Sequence, residues 1–323
     1  MASGHNPNMM IPGPPYPPAG AGLGGVSTVS VDVPICAVLI AIFLGGAVFH
    51  FAIFRKNLKR NYKFIPSAAS GGFCMARVVA NVLRIAWAGK PKNVNLAIAS
   101  QVFVAAGVLI LFILNLIFVQ RMLRANHPRI GWSRPLTYAF KGLYTLIGLT
   151  LVIVITATVH SFFTLDPGAR RIDRDLQLFG GSLLTFVAFL PLPILAFILL
   201  VPRKQPIDQF GSGSWSTKVI MVAIAACLLT LGAGFRIGVS ASPPRPRNNP
   251  AWYHHKACFY IFNFVLEAMV VYMFLIGRID RRFHVPNGSS KEKNYSSNRT
   301  IQDPKYQENL NDEEAAPSQK VLS

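Results

Sequence analysis

The sequence predicts an all-α membrane protein, a seven-transmembrane helix bundle with disordered N- and C-terminal tails. Charged residues make up only 14% of the 323-residue chain against 52% apolar, and the mean hydropathy is +0.39. The apolar residues are gathered in long runs rather than spread at the spacing of soluble helices or strands. A helix needs about 20 residues to cross the roughly 30 Å hydrocarbon layer. Seven runs meet that length, at 33–54, 64–88, 96–119, 136–160, 178–201, 219–239 and 257–277.

Residues 1–31 contain no Lys or Arg and are rich in Pro and Gly, so they lack the basic start of a cleavable signal peptide. They are expected to form a disordered outer tail, with the first run acting as the membrane-targeting signal. That run is followed by Arg55, Lys56, Lys59, Arg60 and Lys63, which places its N-terminus outside. The second run is the weakest, because Arg77, Asn81 and Arg84 interrupt it. Pro191 and Pro193 predict a kink in the fifth. In the sixth, Gly232, Gly234 and Gly238 allow close packing, with Gly234 and Gly238 forming a small-residue contact motif. The seventh carries Glu267 about halfway along. These runs make up a membrane domain over 32–282, and 283–323 reads as a disordered cytoplasmic tail rich in Ser, Asn, Lys and Glu. There is no internal repeat to support an inverted-repeat transporter.

Two topologies compete. With seven spans, the inner loops hold the basic segment after the first span, then Arg121, Arg124, Arg129 and Arg134, then Arg203, Lys204 and Lys218, then Arg278, Arg281 and Arg282. These outnumber the outer Lys90, Lys92, Arg170, Arg171, Arg174, Arg245, Arg247 and Lys256, as the positive-inside bias requires. A six-span alternative lays 64–92 on the cytoplasmic surface and puts the tail outside, where the sequons at Asn287, Asn294 and Asn298 could be glycosylated. Seven spans are preferred because 71–87 is too apolar on every side for an interfacial helix.

Side chains three or four residues apart share a helix face. Arg77, Asn81 and Arg84 therefore form one polar stripe, and Tyr260, Asn263 and Glu267 form another. Lipid cannot solvate either stripe, so both are expected to face the interior. Arg77 falls roughly 20 Å along its helix, at a depth similar to Glu267, and Arg84 falls nearer the outside, level with Arg236. Arg77, Asn81, Arg84, Arg236, Tyr260, Asn263 and Glu267 are thus candidates for a ligand-binding or intramembrane polar network. One reading is an outward-facing pocket whose arginines receive a carboxylate or phosphate. The other is a buried ion pair that fixes helix register. Proton coupling through Glu267 is disfavoured, since only His50 and His160 could relay and both sit near span ends.

Other chemistry is sparse. The net charge of +19 lies mainly at helix ends, as topology determinants and headgroup contacts, which excludes a nucleic-acid partner. Cys36, Cys74, Cys227 and Cys258 all lie in or beside spans, where free thiols are the rule, although Cys36 and Cys258 could be bridged. His254 and His255 follow Trp252 and Tyr253 and read as an interfacial belt rather than a metal site. No nucleophile elbow, phosphate loop or carboxylate pair is visible in the spans, so no catalytic residue, metal or cofactor is expected and the chain does not read as an enzyme.

The segment FCMARVVANVLRIAWA at 73–88, with Arg236, Glu267 and the seven-span layout, resembles a fungal family of seven-span membrane proteins of unknown function. The resemblance runs over about 30–283. The layout is more distantly similar to fungal lipid-translocating proteins linked to resistance to toxic amphiphiles, and to fungal seven-helix receptor-like proteins. This resemblance implies a fungal source and a plasma or internal membrane, and no established activity. Two functions remain open. A receptor or sensor would pair the polar pocket with a cytosolic signalling partner and a small amphiphilic or anionic ligand. A lipid or amphiphile translocator would use the same polar interior as a path. Membrane lipids are partners in either case, and the sequence leaves the oligomeric state open.

Overall fold

A computed structural model describes residues 13–17, 20–61, 63–202, 207–208 and 210–285. The outermost part of the N-terminal tail, Arg203 and Lys204, and the three sequon asparagines lie outside those residues. Helix boundaries follow local chemistry. Helix α1 (Val29–Leu58) begins where the Thr28 N–H donates to the Asp32 carboxylate at 2.7 Å, and α2 (Ile65–Gly89) starts on Pro66 in its first turn. Helix α3 (Val94–Gly107) is capped by the Asn93 side chain, and α4 (Leu109–Asn126) continues it after a break at Val108. A short α5 (Pro128–Gly131) leads to α6 (Arg134–Phe163). Helix α7 (Pro167–Phe189) has Asp166 accepting from the Gly168 and Ala169 N–H groups, and Leu190 separates it from α8 (Pro191–Leu200). Ser214 caps α9 (Trp215–Ala241). The last run divides into α10 (Lys256–Tyr260), one π-helical turn at Ile261–Val265, and α11 (Leu266–Ile276), followed by α12 (Ile279–Arg282).

Among the described residues, six helical stretches are long and apolar enough to cross a membrane: Val29–Leu58, Val94–Asn126, Arg134–Phe163, Pro167–Leu200, Trp215–Ala241 and Lys256–Ile276. Helix α2 is also long, at 25 residues, but its buried arginines and asparagine lower its apolarity. Its neighbours are α1 and α3. The bundle is inverted relative to a soluble protein. Val38, Leu149, Val152, Phe179, Phe186 and Leu200 stand exposed on its outside, while Asp32, Arg77, Asn81, Asn115 and Glu267 are buried. Lipid tolerates the first set and cannot solvate the second.

Three expectations need correction. Helix α7 begins at Pro167 rather than Leu178, because the Asp166–Pro167 pair is a strong helix start that outweighs the charges following it. Gly234 and Gly238 have open space where a Cβ would stand. The close approach is at Gly232, where a Cβ would lie 2.8 Å from the Phe262 carbonyl oxygen. The N-terminal stretch expected to be disordered through residue 31 is tied down from Gly20 onward. Ala21 donates to the Arg245 carbonyl at 2.8 Å and Gly24 to the His254 carbonyl at 3.0 Å. Cys36 and Cys258 are both free thiols, the state preferred from the sequence over a bridge between them.

The interior is layered along the bundle. Near the middle, Phe43 meets Phe73 and Phe264 edge-on at 6.0 and 6.4 Å. At the end away from the N-terminal segment, Phe118 stacks on Phe283 at 4.5 Å and meets Phe274 edge-on at 5.5 Å. The Arg77–Glu267 and Arg84–Asp32 pairs lie between the first cluster and the N-terminal segment, while the aromatic end has buried polar groups of its own, among them Asn115, Lys218 and Asp280.

Candidate functional site

The seven residues singled out in the sequence converge on two connected polar levels. At the deeper level, Arg77 and Glu267 face each other in a bidentate pair, Nε to Oε2 at 2.5 Å and Nη2 to Oε1 at 2.8 Å. The remaining Arg77 donor, Nη1, reaches the Val104 and Phe103 carbonyls of α3 at 2.9 and 3.2 Å. The guanidinium also lies near the Phe73 and Phe264 rings, 5.2 and 5.5 Å from their centroids. Drawing on two helical carbonyls disturbs the α3 ladder, and the break at Val108 falls there. Gly107 makes the approach feasible, since a Cβ there would stand 3.1 Å from Arg77 Nη1.

Arg236 adds a second cation to the same carboxylate. Its Nη1 donates to Glu267 Oε1 at 3.4 Å and to Asn263 Oδ1 at 3.3 Å. The Asn263 amide is aimed by its own Nδ2 bond to the Phe259 carbonyl at 2.8 Å, and Asn81 is held likewise on the Arg77 carbonyl. Asn263 sits in the π turn, where the extra residue shifts the register between Tyr260 and Glu267. Gly232 lets α9 lie against the Phe262 carbonyl of that turn, which keeps Arg236 within reach of Asn263.

The outer level was only half legible. Arg84 and Tyr260 are there as expected, but their common partner is Asp32, which falls just before the first apolar run. It is fully buried. Its carboxylate accepts from Arg84 Nε at 2.9 Å, from the Tyr260 hydroxyl at 2.6 Å, and from Lys256 Nζ. Arg84 Nη2 donates on to the Gly24 carbonyl at 3.0 Å, and its guanidinium lies 4.1 Å from the Phe259 ring centroid. The missed signal was Asp32 itself, an acidic residue four positions after Thr28 at a helix start. Lys256 had been counted as a loop charge.

A cavity of about 990 Å³ opens beside both levels. Arg84, Arg174, Arg236, Arg247 and Lys256 line it, and no Asp or Glu does. Arg174 and Arg247, also counted as loop charges, make no ion pair among the described residues. The N-terminal segment from Gly20 to Val26 forms part of the wall, as do Trp87, Val104, Phe162 and Trp252. His254, expected at an interfacial belt, is instead buried at this wall, and its Nδ1 accepts from the Ala251 N–H at 3.2 Å. Burial, with Arg245 nearby, holds its pKa below the ordinary histidine value.

Comparison with known proteins adds a single match. A family described as "Protein of unknown function (DUF3112)" is similar to residues 211–284. That stretch is well under half the chain and holds Arg236, Arg247, Lys256, Tyr260, Asn263 and Glu267, but not the second-span segment or Asp32. No curated protein and no solved structure matches the chain. The chain is a membrane-spanning helical protein.

Proposed function

We propose that this chain is a seven-span receptor or sensor that binds a small anionic ligand in its outward-facing cavity. The observation that carries this reading is the cavity lining, which has five Arg and Lys side chains and, among the described residues, no carboxylate. A low-dielectric site with surplus positive charge favours an anion strongly.

Seven spans are supported by depth. Arg77 lies near the middle of α2 and bonds Glu267 near the middle of the last apolar helix, so α2 runs at the same level. A helix lying on the cytoplasmic surface could not bring Arg77 there. The N-terminus is outside and the C-terminus cytosolic in this reading, by the charge bias of the loops.

Signalling would begin at Arg236. Its 3.4 Å contact with Glu267 is the weaker of that carboxylate's two partners, so an anion can draw Arg236 away while Arg77 remains. The π turn and α11 would carry the change toward the basic inner loops. A lipid or amphiphile translocator is the alternative. It finds less support, because the Phe118–Phe274–Phe283 cluster packs the far end of the interior and the Arg and Lys side chains lining the cavity gather at the other end.

The test uses the full chain in nanodiscs and two anionic eight-carbon amphiphiles, octanoate and octyl phosphate, against octyltrimethylammonium. At least one anion should bind saturably and raise the unfolding temperature, and the double change Arg236→Gln, Arg247→Gln should abolish this. Hydrogen exchange in the 127–133 loop should change on binding. If the cation binds as well as the anions, the reading fails. Ligand-independent exchange combined with amphiphile flux would favour the translocator.

A further inference from the structure

The cations around the cavity are not equivalent, and the differences narrow the ligand class. Arg84 and Lys256 are both consumed by Asp32, and Arg84 also gives a donor to the Gly24 carbonyl. Arg236 uses only Nη1, in two long contacts. Its Nε and Nη2 make no hydrogen bond among the described residues. Arg174 uses only Nη2, on the Ser242 and Ser240 carbonyls at 3.1 and 3.4 Å. Ser240 is one turn along α9 from Arg236, and its hydroxyl bonds the Arg236 carbonyl at 3.1 Å. The Arg174 guanidinium is therefore docked at the C-terminal end of α9, against carbonyls roughly 6–9 Å along the axis from Arg236. Arg247 makes no hydrogen bond among the described residues. Gln177, three residues from Arg174 on the same helix face, lines the cavity with its amide unclaimed among the described residues.

Charge balance points the same way. The carboxylates that bond the lining cations are already shared, Asp32 between Arg84 and Lys256 and Glu267 between Arg77 and Arg236, while Asp173, beside Arg174 in sequence, is paired with His160. Arg174 and Arg247 have none. A monocarboxylate would leave most of this surplus uncompensated. A phosphate monoester carries close to two charges at neutral pH and three acceptor oxygens, and the planar fork of arginine matches those oxygens in bidentate fashion.

We infer that the cavity is a phosphate site, in which Arg174, Arg236 and Arg247 converge on one phosphomonoester group. The group belongs to a soluble phosphate ester or to a lipid headgroup, and the chemistry that recognises it is the same. This rests on the anion-binding reading above and adds to it a preference for phosphate over carboxylate.

The experiment measures dissociation constants of the full chain in nanodiscs for octyl phosphate, octanoate, glycerol 3-phosphate and dihexanoyl phosphatidic acid. Octyl phosphate should bind at least about tenfold more tightly than octanoate of the same chain length, the difference of one charge-assisted hydrogen bond. Arg174→Gln and Arg247→Gln, both at the cavity rim, should each lower phosphate affinity about tenfold while changing octanoate binding less. Lys141→Gln, exposed on α6 and outside the cavity lining, should change neither. Equal binding of octyl phosphate and octanoate would overturn the phosphate preference and leave the anion pocket standing. Failure of both to saturate would remove both. Where phosphate wins, strong glycerol 3-phosphate binding assigns a soluble ester, and binding of dihexanoyl phosphatidic acid alone assigns a headgroup.

Discussion

A buried guanidinium is tolerable only when its donors find acceptors, and Arg77 places four N–H···O bonds on one carboxylate and two main-chain carbonyls. Removing one partner strands the other. Arg77→Gln and Glu267→Gln should each cost about 3–5 kcal/mol, seen as lower unfolding temperature in detergent. The double change should cost clearly less than the two summed, and strict additivity would show that the pair is not coupled. Residue-scale chemistry also predicts a pH effect at His254. Its Nδ1 can accept the Ala251 N–H only when deprotonated, and its folded pKa lies below the ordinary value, first through burial and then through Arg245. The unfolded chain therefore takes up the proton first as pH falls. The stabilisation is complete above about pH 6.5 and is lost as pH falls from there through the lowered folded value. His254→Gln keeps an acceptor with no proton to gain. It should flatten that part of the profile of unfolding temperature against pH, and an unchanged profile would assign the effect elsewhere.

At the scale of elements, the last span departs from a uniform helix where the site is built. The π turn at Ile261–Val265 places Asn263 beside Arg236 while Tyr260 and Glu267 serve different polar levels. Its carbonyl at Phe262 is the surface on which α9 rests, through Gly232. Gly232→Ala should therefore push the helices apart, costing about 1–3 kcal/mol and weakening anion binding through Arg236. Gly234→Ala and Gly238→Ala meet no neighbour and should leave both unchanged. Equal effects at all three positions would point to helix propensity rather than packing. The N-terminal segment behaves as part of the same assembly. Gly24, at φ +77, lies so close to the Phe259 ring that a Cβ would stand 2.6 Å from its Cγ.

For the whole molecule, the arginine–carboxylate pairs of Arg77, Arg84 and Arg236 gather toward the end carrying the N-terminal segment, and the Phe118–Phe274–Phe283 cluster packs the other. A cavity of about 990 Å³ at one end of such a bundle has access from one side. Topology decides which side that is. In a eukaryotic cell, a sequon engineered into 4–25 should be glycosylated while Asn287, Asn294 and Asn298 remain unmodified. A glycosidase-sensitive shift from the tail would mean an even number of spans and place the arginine helix elsewhere.

The membrane class and the apolar runs were legible because each depends on local composition, which twenty consecutive residues display in full. The polar stripes of α2 and the last span were legible too, since helical spacing alone puts Arg77, Asn81 and Arg84 on one face. The partners were not. Asp32, Lys256, Arg174 and Arg247 look like ordinary end-of-helix charges until folding brings α1, α7 and the 242–251 segment around one cavity. Local sequence specified which groups lipid would reject. Which of them meet depended on the π turn and the close approach at Gly232, because burial makes each charge find a partner and packing decides which partner is in reach.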